Sequence, residues 1–349
     1  MDRQFPPEII QLVVEASLDP YDLFHLDWPE MKRRYKILTK YSLLNWTWQS
    51  ASALSLHELV VIYTEEQVAS FLNLLDAKGG IVGGIRDLSI RLDAADRSDI
   101  ARILRSARKA VNVSLDYVMV SIDDLAHLQQ VRRLQLYQVK VVGSPASSSL
   151  SLPSLRRLEL FEASVLPSAA HFLTPSFLPQ LRRLELYDVP DSVEPLIPQL
   201  EAISFGPTNN HSLSAATSLQ LLLLPHEPIP RLGMLSDLPT LPPFVSIDYT
   251  RLTIDGWSEQ MRSMLAELLA TTKTGLRVIL LTRTGEDEDD ELDDLIKQLR
   301  NRGVSVVETF EELDFSSSII LMEEILEEEE RAAKKAARKL AKKAGLASG

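Results

Sequence analysis

The sequence predicts an α/β fold: a helical front, an array of repeated strand-plus-connection units, and a charged helix at the C-terminal end. Three observations predict it. The hexapeptide LRRLEL stands at residues 155–160 and again at 181–186, each time followed by an aromatic residue, Phe161 and Tyr187. A near copy, VRRLQLY, occupies 131–137, and its Leu134 lies 24 residues before Leu158. Self-similarity at a period of roughly 20–30 residues is the signature of stacked repeats. Second, an x-L-x-L-x core recurs from Ile85 onward. Its first apolar position falls at Leu88, Val111, Leu134, Leu158, Leu184, Ile203, Leu222, Leu252 and Ile279, with a last unit near Val306. Third, the chain before this array carries apolar residues at helical rather than alternating spacing, and the final stretch is built of strong helix formers.

In the front (residues 1–65), Pro6 and Pro7 precede Glu8 and the helically spaced Ile9, Ile10, Val13 and Val14. Proline suits a first helical turn because its missing N–H is not needed there. A turn-rich interruption, DPYDLFHLDWPE, follows. A second helical stretch holds Leu38, Leu43, Leu44, Trp46 and Trp48, and LHELVVIY then reads as a linker strand. Thr64 caps a further helix bearing Val68, Phe71, Leu72 and Leu75, which ends at Gly79 and Gly80.

Between the array's strands (residues 66–318), helices are expected at 94–107, 122–128, 258–270 and 289–300. The Pro- and Ser-rich stretches 143–153 and 225–243 read as irregular. One strand plus one helix or coil per unit is the leucine-rich-repeat arrangement, an irregular solenoid in which stacking supplies a core that no single unit can bury. Alternate strand residues face opposite sides. Leu134, Leu136, Leu158, Leu160, Leu184 and Leu186 therefore face the core. The outward residues form three columns at about 4.8 Å spacing: Arg133, Arg157 and Arg183; Gln135, Glu159 and Glu185; Tyr137, Phe161 and Tyr187. Interfaces are rich in Tyr, Phe and Arg, so Arg133, Tyr137, Arg157, Glu159, Phe161, Arg183, Glu185 and Tyr187 are the candidate partner-binding residues of the concave face. The competing reading makes them cross-strand pairs and nothing more. LQLLLLP at 219–225 breaks the alternation, and Leu221 and Leu223 should point outward. A lid from the following proline-rich segment is favoured over an exposed contact.

Chemistry is not expected. With no cysteine there are no disulfides, thiolate zinc sites or cysteine nucleophiles. The six histidines (25, 57, 127, 171, 211 and 226) lack metal-ligand spacing. GGIVGG at 79–84 is neither a Walker loop nor a dinucleotide fingerprint, and no serine stands in a G-x-S-x-G context. The acidic stretch 285–303 lacks the EF-hand register and reads as a helix with acids leading and bases trailing, as the helix dipole favours. No catalytic residue, metal or cofactor is therefore assigned. Apolar runs are too short to span a bilayer, and the first residues do not form a secretory signal.

The chain carries −12, and the stretch from Arg331 holds seven basic residues and no acid, so the remainder carries −19. That acidity argues against nucleic-acid binding. The last segment (residues 319–349) is built of strong helix formers with Glu→Lys/Arg pairs at helical spacing. It is expected to be a solvated helix, not a core element, acting as a solubilising extension, with nuclear import or an anionic partner as the alternative.

The front resembles an F-box. The proline–acid–paired-aliphatic opening is Pro6-Pro7-Glu8-Ile9-Ile10, and the closing aliphatic–polar–tryptophan segment is Leu43-Leu44-Asn45-Trp46. The stretch LHELVVIYTEEQVASFLNLL resembles the passage that joins F-box-like modules to repeats in a large fungal group. The resemblance implies a substrate receptor of a cullin–RING ubiquitin ligase, cytoplasmic or nuclear and itself without chemistry. Pro7, Ile9, Ile10, Val13, Leu43, Leu44 and Trp46 would contact a Skp-type adaptor, and the repeats would hold a protein substrate of unknown identity. The connection 19–36 is longer and more polar than the family's usual one, long enough that the adaptor-facing helices need not sit as they do elsewhere. In the alternative, the front only caps a repeat scaffold's hydrophobic end.

Overall fold

The computed structural model describes residues 6–18, 21, 23–24, 28–77, 84–92, 97–143, 150–189, 193–206, 212–224, 238–247, 265–266, 268–270, 274–282, 290–309 and 314–347. The fold is mixed α/β with mostly parallel strands. The chain divides into two compact units, Met1–Arg182 with Leu186–Leu196, and Arg183–Glu185 with Ile197–Gly349.

The first unit opens with three helices, α1 (Pro7–Ala16), α2 (Trp28–Ser42) and α3 (Trp46–Glu58). Their shared core is Ile10, Val14, Leu18, Leu38 and Ala51, with Ile37, Tyr41, Trp48 and Leu56 around it. Asn45 starts α3 by accepting from the N–H groups of Thr47 (2.9 Å) and Trp48 (3.2 Å), two donors the helix cannot itself satisfy. Strand β1 (Leu59–Ile62) follows directly and pairs in parallel with β2 (Asp87–Arg91). Expected as a linker, β1 is a full member of the sheet, because all four of its side chains are buried. Between β1 and β2 lies α4 (Glu65–Asp76), capped by Thr64 as its sequence predicts.

The ladder continues through β3 (Asn112–Asp116), β5 (Arg133–Tyr137) and β7 (Arg157–Phe161). One row across it is Val60, Leu88, Val113, Leu134 and Leu158. Sequence spacing puts Val111 in that row, and the structure corrects it to Val113. In the segment VNVSL, Val111, Val113 and Leu115 share one strand face, so alternation alone does not fix the register; the pairing puts Val113 opposite Leu88 and Leu134. Helix α5 (Arg97–Ser106) buries Ile100, Ile103 and Leu104, and the short α6 (Ile122–Leu125) buries Ile122 and Leu125. A second, three-stranded parallel sheet joins β4 (Met119–Ser121), β6 (Lys140–Val142) and β8 (Ser164–Val165). β9 (Arg183–Tyr187) carries the second LRRLEL copy. It is flanked by bonds from Arg182 N–H to the Arg156 carbonyl (2.9 Å) and from Glu162 N–H to the Tyr187 carbonyl (2.7 Å).

Tyr117, Gln138, Glu162 and Asp188, each immediately after β3, β5, β7 and β9, have φ of 62°, 50°, 49° and 52°. Left-handed backbone costs a non-glycine residue roughly 1–2 kcal/mol. It is offset by geometry. The N–H groups of Tyr117, Gln138 and Glu162 reach the carbonyls of Tyr137, Phe161 and Tyr187 (2.9, 2.8 and 2.7 Å), and the next residue in each unit, Val118, Val139, Ala163 and Val189, turns into the core.

In the second unit, β10 (Ala202–Phe205), β11 (Leu221–Leu224), β12 (Phe244–Ile247), β13 (Val278–Thr282) and β14 (Ser305–Thr309) run parallel in that order. Ile203, Leu222, Val245, Ile279 and Val306 align. Leu252, expected in this row, lies outside the described residues, and Val245 takes the position between Leu222 and Ile279. The expected helix at 289–300 is α7 (Asp290–Asn301). Of the expected helix at 258–270, only part falls among the described residues.

The C-terminal helix α8 (Phe315–Ala347) departs from expectation in its first turns. Phe315, Ile319 and Met322 are buried against Ala202, Leu221, Leu223, Phe244, Val278 and Leu280, with Leu321 and Ile325 alongside. Ser318 and Ser246 share a buried 2.7 Å hydrogen bond there. The lid over Leu221 and Leu223 is thus this helix; residues 225–237 of the proline-rich segment lie outside the described residues. The reason is spacing: Phe315, Ile319 and Met322 lie on one helical stripe that begins before the charged run. Beyond it, residues 331–337 are exposed as expected. Deleting residues 331–349 should therefore leave thermal unfolding unchanged. A fall of more than about 4 °C would show that the basic half is packed.

Candidate functional site

The side chains singled out from sequence fall into two groups, one on the helices and one on the strands. On α1, Ile9 (43%), Leu12 (59%) and Val13 (44%) are exposed, while Ile10 (3%) and Val14 (0%) are buried. Positions 9, 12 and 13 share one face of a helix, and Pro7 is exposed at its start. At the corner between α2 and α3, Leu43 (80%), Leu44 (59%) and Trp46 (78%) are exposed. Trp48 instead packs on Tyr41, with ring centroids 5.2 Å apart. Ile10, expected as an adaptor contact, is instead a buried core residue of the three-helix module. Leu12 was missed by sequence reasoning; its helical spacing from Ile9 was the available signal.

The second group lies on the outward side of the strands. Leu134, Leu136, Leu158, Leu160, Leu184 and Leu186 are buried, and Arg133, Tyr137, Arg157, Phe161, Arg183, Glu185 and Tyr187 are half-buried. Glu159 is a correction: expected as a contact residue, it is 2% exposed. The Nε atoms of both Arg133 and Arg157 lie 2.6 Å from its Oε1. Gln135 adds a bond to Oε2 (3.2 Å), and Ser114 donates to the Gln135 side-chain oxygen (3.0 Å). The Arg133 guanidinium also stacks over Phe24, 3.6 Å from the ring centroid. Arg133, Arg157 and Glu159 thus form a largely buried ionic cluster. In the second unit, Arg183 pairs with Glu323.

The aromatic column is real and longer than expected. Tyr117 meets Tyr137 edge-on at 5.3 Å, and Tyr137 meets Phe161 at 6.4 Å. Tyr187 stands beside Phe161's unit through the bond from Glu162 N–H to the Tyr187 carbonyl. Bonding with Tyr117 holds the Tyr137 hydroxyl's pKa above its ordinary value, assisted by burial and by the negative charge of Glu162 and Asp116. Asp116 is pushed up by burial, against the pull of Arg91 at 3.1 Å and Ser114 at 3.0 Å.

Between the helices and the first strands lies a cleft of about 750 Å³, lined by Tyr21, Phe24, Arg34, Ser55, Asp87 and Arg133 among others. Buried Asp87 accepts from the Tyr21 hydroxyl (2.5 Å) and the Asn112 amide (2.7 Å), and Arg34 lies over the Tyr21 ring at 4.5 Å. Burial first, and then Asp87, pushes the Tyr21 hydroxyl up, so it remains a donor. The long connection after α1 is thereby anchored to the sheet by Tyr21 and Phe24, with Leu23 in a second core formed with Met31, Leu59 and Val61. Among the described residues, no three His, Cys, Asp or Glu side chains group as metal ligands, and no helix is long and apolar enough to cross a membrane.

No family model and no curated protein matches the chain.

Proposed function

We propose that the chain is the substrate-recognition subunit of an SCF-type cullin–RING ubiquitin ligase, with leucine-rich repeats behind an F-box-like front. The observation that supports it is the placement of exposed apolar side chains. Of twelve large hydrophobics exposed among the described residues, six are Ile9, Leu12, Val13, Leu43, Leu44 and Trp46. They fall in the two stretches that resemble the F-box, and such concentrations mark interaction sites. In this reading α1 and the α2–α3 corner dock on a Skp-type adaptor, and the outward strand face holds a protein substrate. The chain performs no chemistry; it positions a substrate lysine near a conjugating enzyme. A cytoplasmic or nuclear location follows from those partners.

The capping alternative has its own support. Leu23 and Met31 bury against β1, with Tyr21 and Phe24 around them, so the module's inner side covers the first strand. The outer side is what separates the readings. Leu12→Asp and Trp46→Asp alter exposed positions and spare the core that Ile10 serves. A purified Skp-type adaptor should be captured by the wild type and released by these variants, each costing about 2 kcal/mol or more as interface hot spots do. If the wild type captures no adaptor, the receptor reading fails and the scaffold reading stands.

A further inference from the structure

The aromatic column has acids along one edge that sequence reasoning did not assign. Glu162 and Asp188, at the left-handed positions after β7 and β9, are exposed. The Glu162 carboxylate is bonded to the neutral amide of Gln138 at 2.5 Å. Asp116 lies at the other end of the column. Three cations of this face are turned to acids within it: Arg91 to Asp116, and Arg133 and Arg157 to Glu159. The column therefore offers ring faces and edges beside carboxylates, in a body that is strongly acidic. Aromatic faces attract ammonium and guanidinium groups, and adjacent carboxylates add steering.

Spacing narrows the ligand further. Ring centroids follow one another at 5.3 and 6.4 Å. Alternate side chains of an extended peptide lie about 6.6–6.8 Å apart on one side, so a strand-like segment laid across the units can present one side chain per ring.

We propose that Tyr117, Tyr137, Phe161 and Tyr187, edged by Glu162 and Asp188, bind an extended basic peptide carrying lysine or arginine at alternate positions. The proposal rests on the outward strand face being the partner surface, and is independent of adaptor docking.

A fluorescein-labelled peptide alternating lysine and serine is titrated with the full chain at low salt, followed by anisotropy. A glutamate–serine peptide of equal length is the control. Three variants are chosen to spare the fold. Phe161→Leu keeps apolar bulk but removes the ring, and Tyr117→Asn and Glu162→Asn place a residue that tolerates the left-handed backbone. The basic peptide should bind, the acidic one should not, and each variant should weaken binding by about twofold to thirtyfold. Wild-type affinity in all three variants would mean diffuse attraction to the acidic body, and would overturn the proposal. So would equal binding of the acidic peptide, or no binding by the wild type. Adaptor capture measured on the same preparations separates the two readings. Retained capture with lost peptide binding overturns this one alone; retained peptide binding without capture overturns the receptor reading alone.

Discussion

Replacing Phe315 with alanine should destabilise the second unit by about 3–5 kcal/mol. Phe315 is 1% exposed and lies in one cluster with Leu221, Phe244 and Leu280. A strand face that is apolar needs a cover, and α8 supplies it through Phe315, Ile319 and Met322. The cost combines lost apolar burial with a cavity that a sheet and a helix cannot both close. Denaturant unfolding followed by circular dichroism checks it, with the 331–349 deletion as the matched control on the same helix. A loss below about 1 kcal/mol would mean that the helix only rests on the sheet. The ion pairs of Glu323 with Arg183 and of Glu329 with Arg277 cannot substitute for the apolar contact. They are partly exposed, and exposed pairs contribute at most about 1 kcal/mol each.

Glu159→Ala should cost about 3–5 kcal/mol, because it leaves two largely buried guanidinium groups without their shared carboxylate. The side chains of Arg133 and Arg157 are 17% and 11% exposed, and Glu159 2%. Glu185 occupies the equivalent place in the second LRRLEL copy and is half-buried, so Glu185→Ala should cost far less. Unfolding of both variants under identical conditions compares them. Equal small losses would show that the cluster is a surface pairing, and would return Glu159 to the list of possible contact residues.

This difference between two identical hexapeptides shows where sequence reading stops. The x-L-x-L-x period placed Leu134, Leu136, Leu158 and Leu160 inward because a strand's side chains must alternate and the apolar set must be buried. It could not tell that Phe24, from a connection more than a hundred residues earlier in the chain, would stack on Arg133 and help close the ionic cluster over Glu159. The same limit applies to α1. Its helical spacing was legible, yet the choice of Ile10 rather than Ile9 for the core depends on where Leu38 and Ala51 arrive.

What the sequence by itself determined is the alternation of strands and connections, the cap at Thr64, the helix expected at 289–300 and found at 290–301, and the solvated residues 331–337, since each follows from local periodicity, capping or charge; the break at Asn45, inside what reads as one helical stretch, did not. The tertiary structure alone decided the rest. Val113 rather than Val111 entered the ladder because both were apolar and the neighbouring strands selected the register. Tyr117, Gln138 and Glu162 took left-handed backbone with none of the residue types that favour it, because bonds to the next strand and the buried residue after each outweigh the local cost. The first turns of α8 became core because the leucines they cover are brought together only when β10 to β13 align; the stripe of Phe315, Ile319 and Met322 and the doubly apolar strand at 221–224 are each legible locally, but their meeting is not.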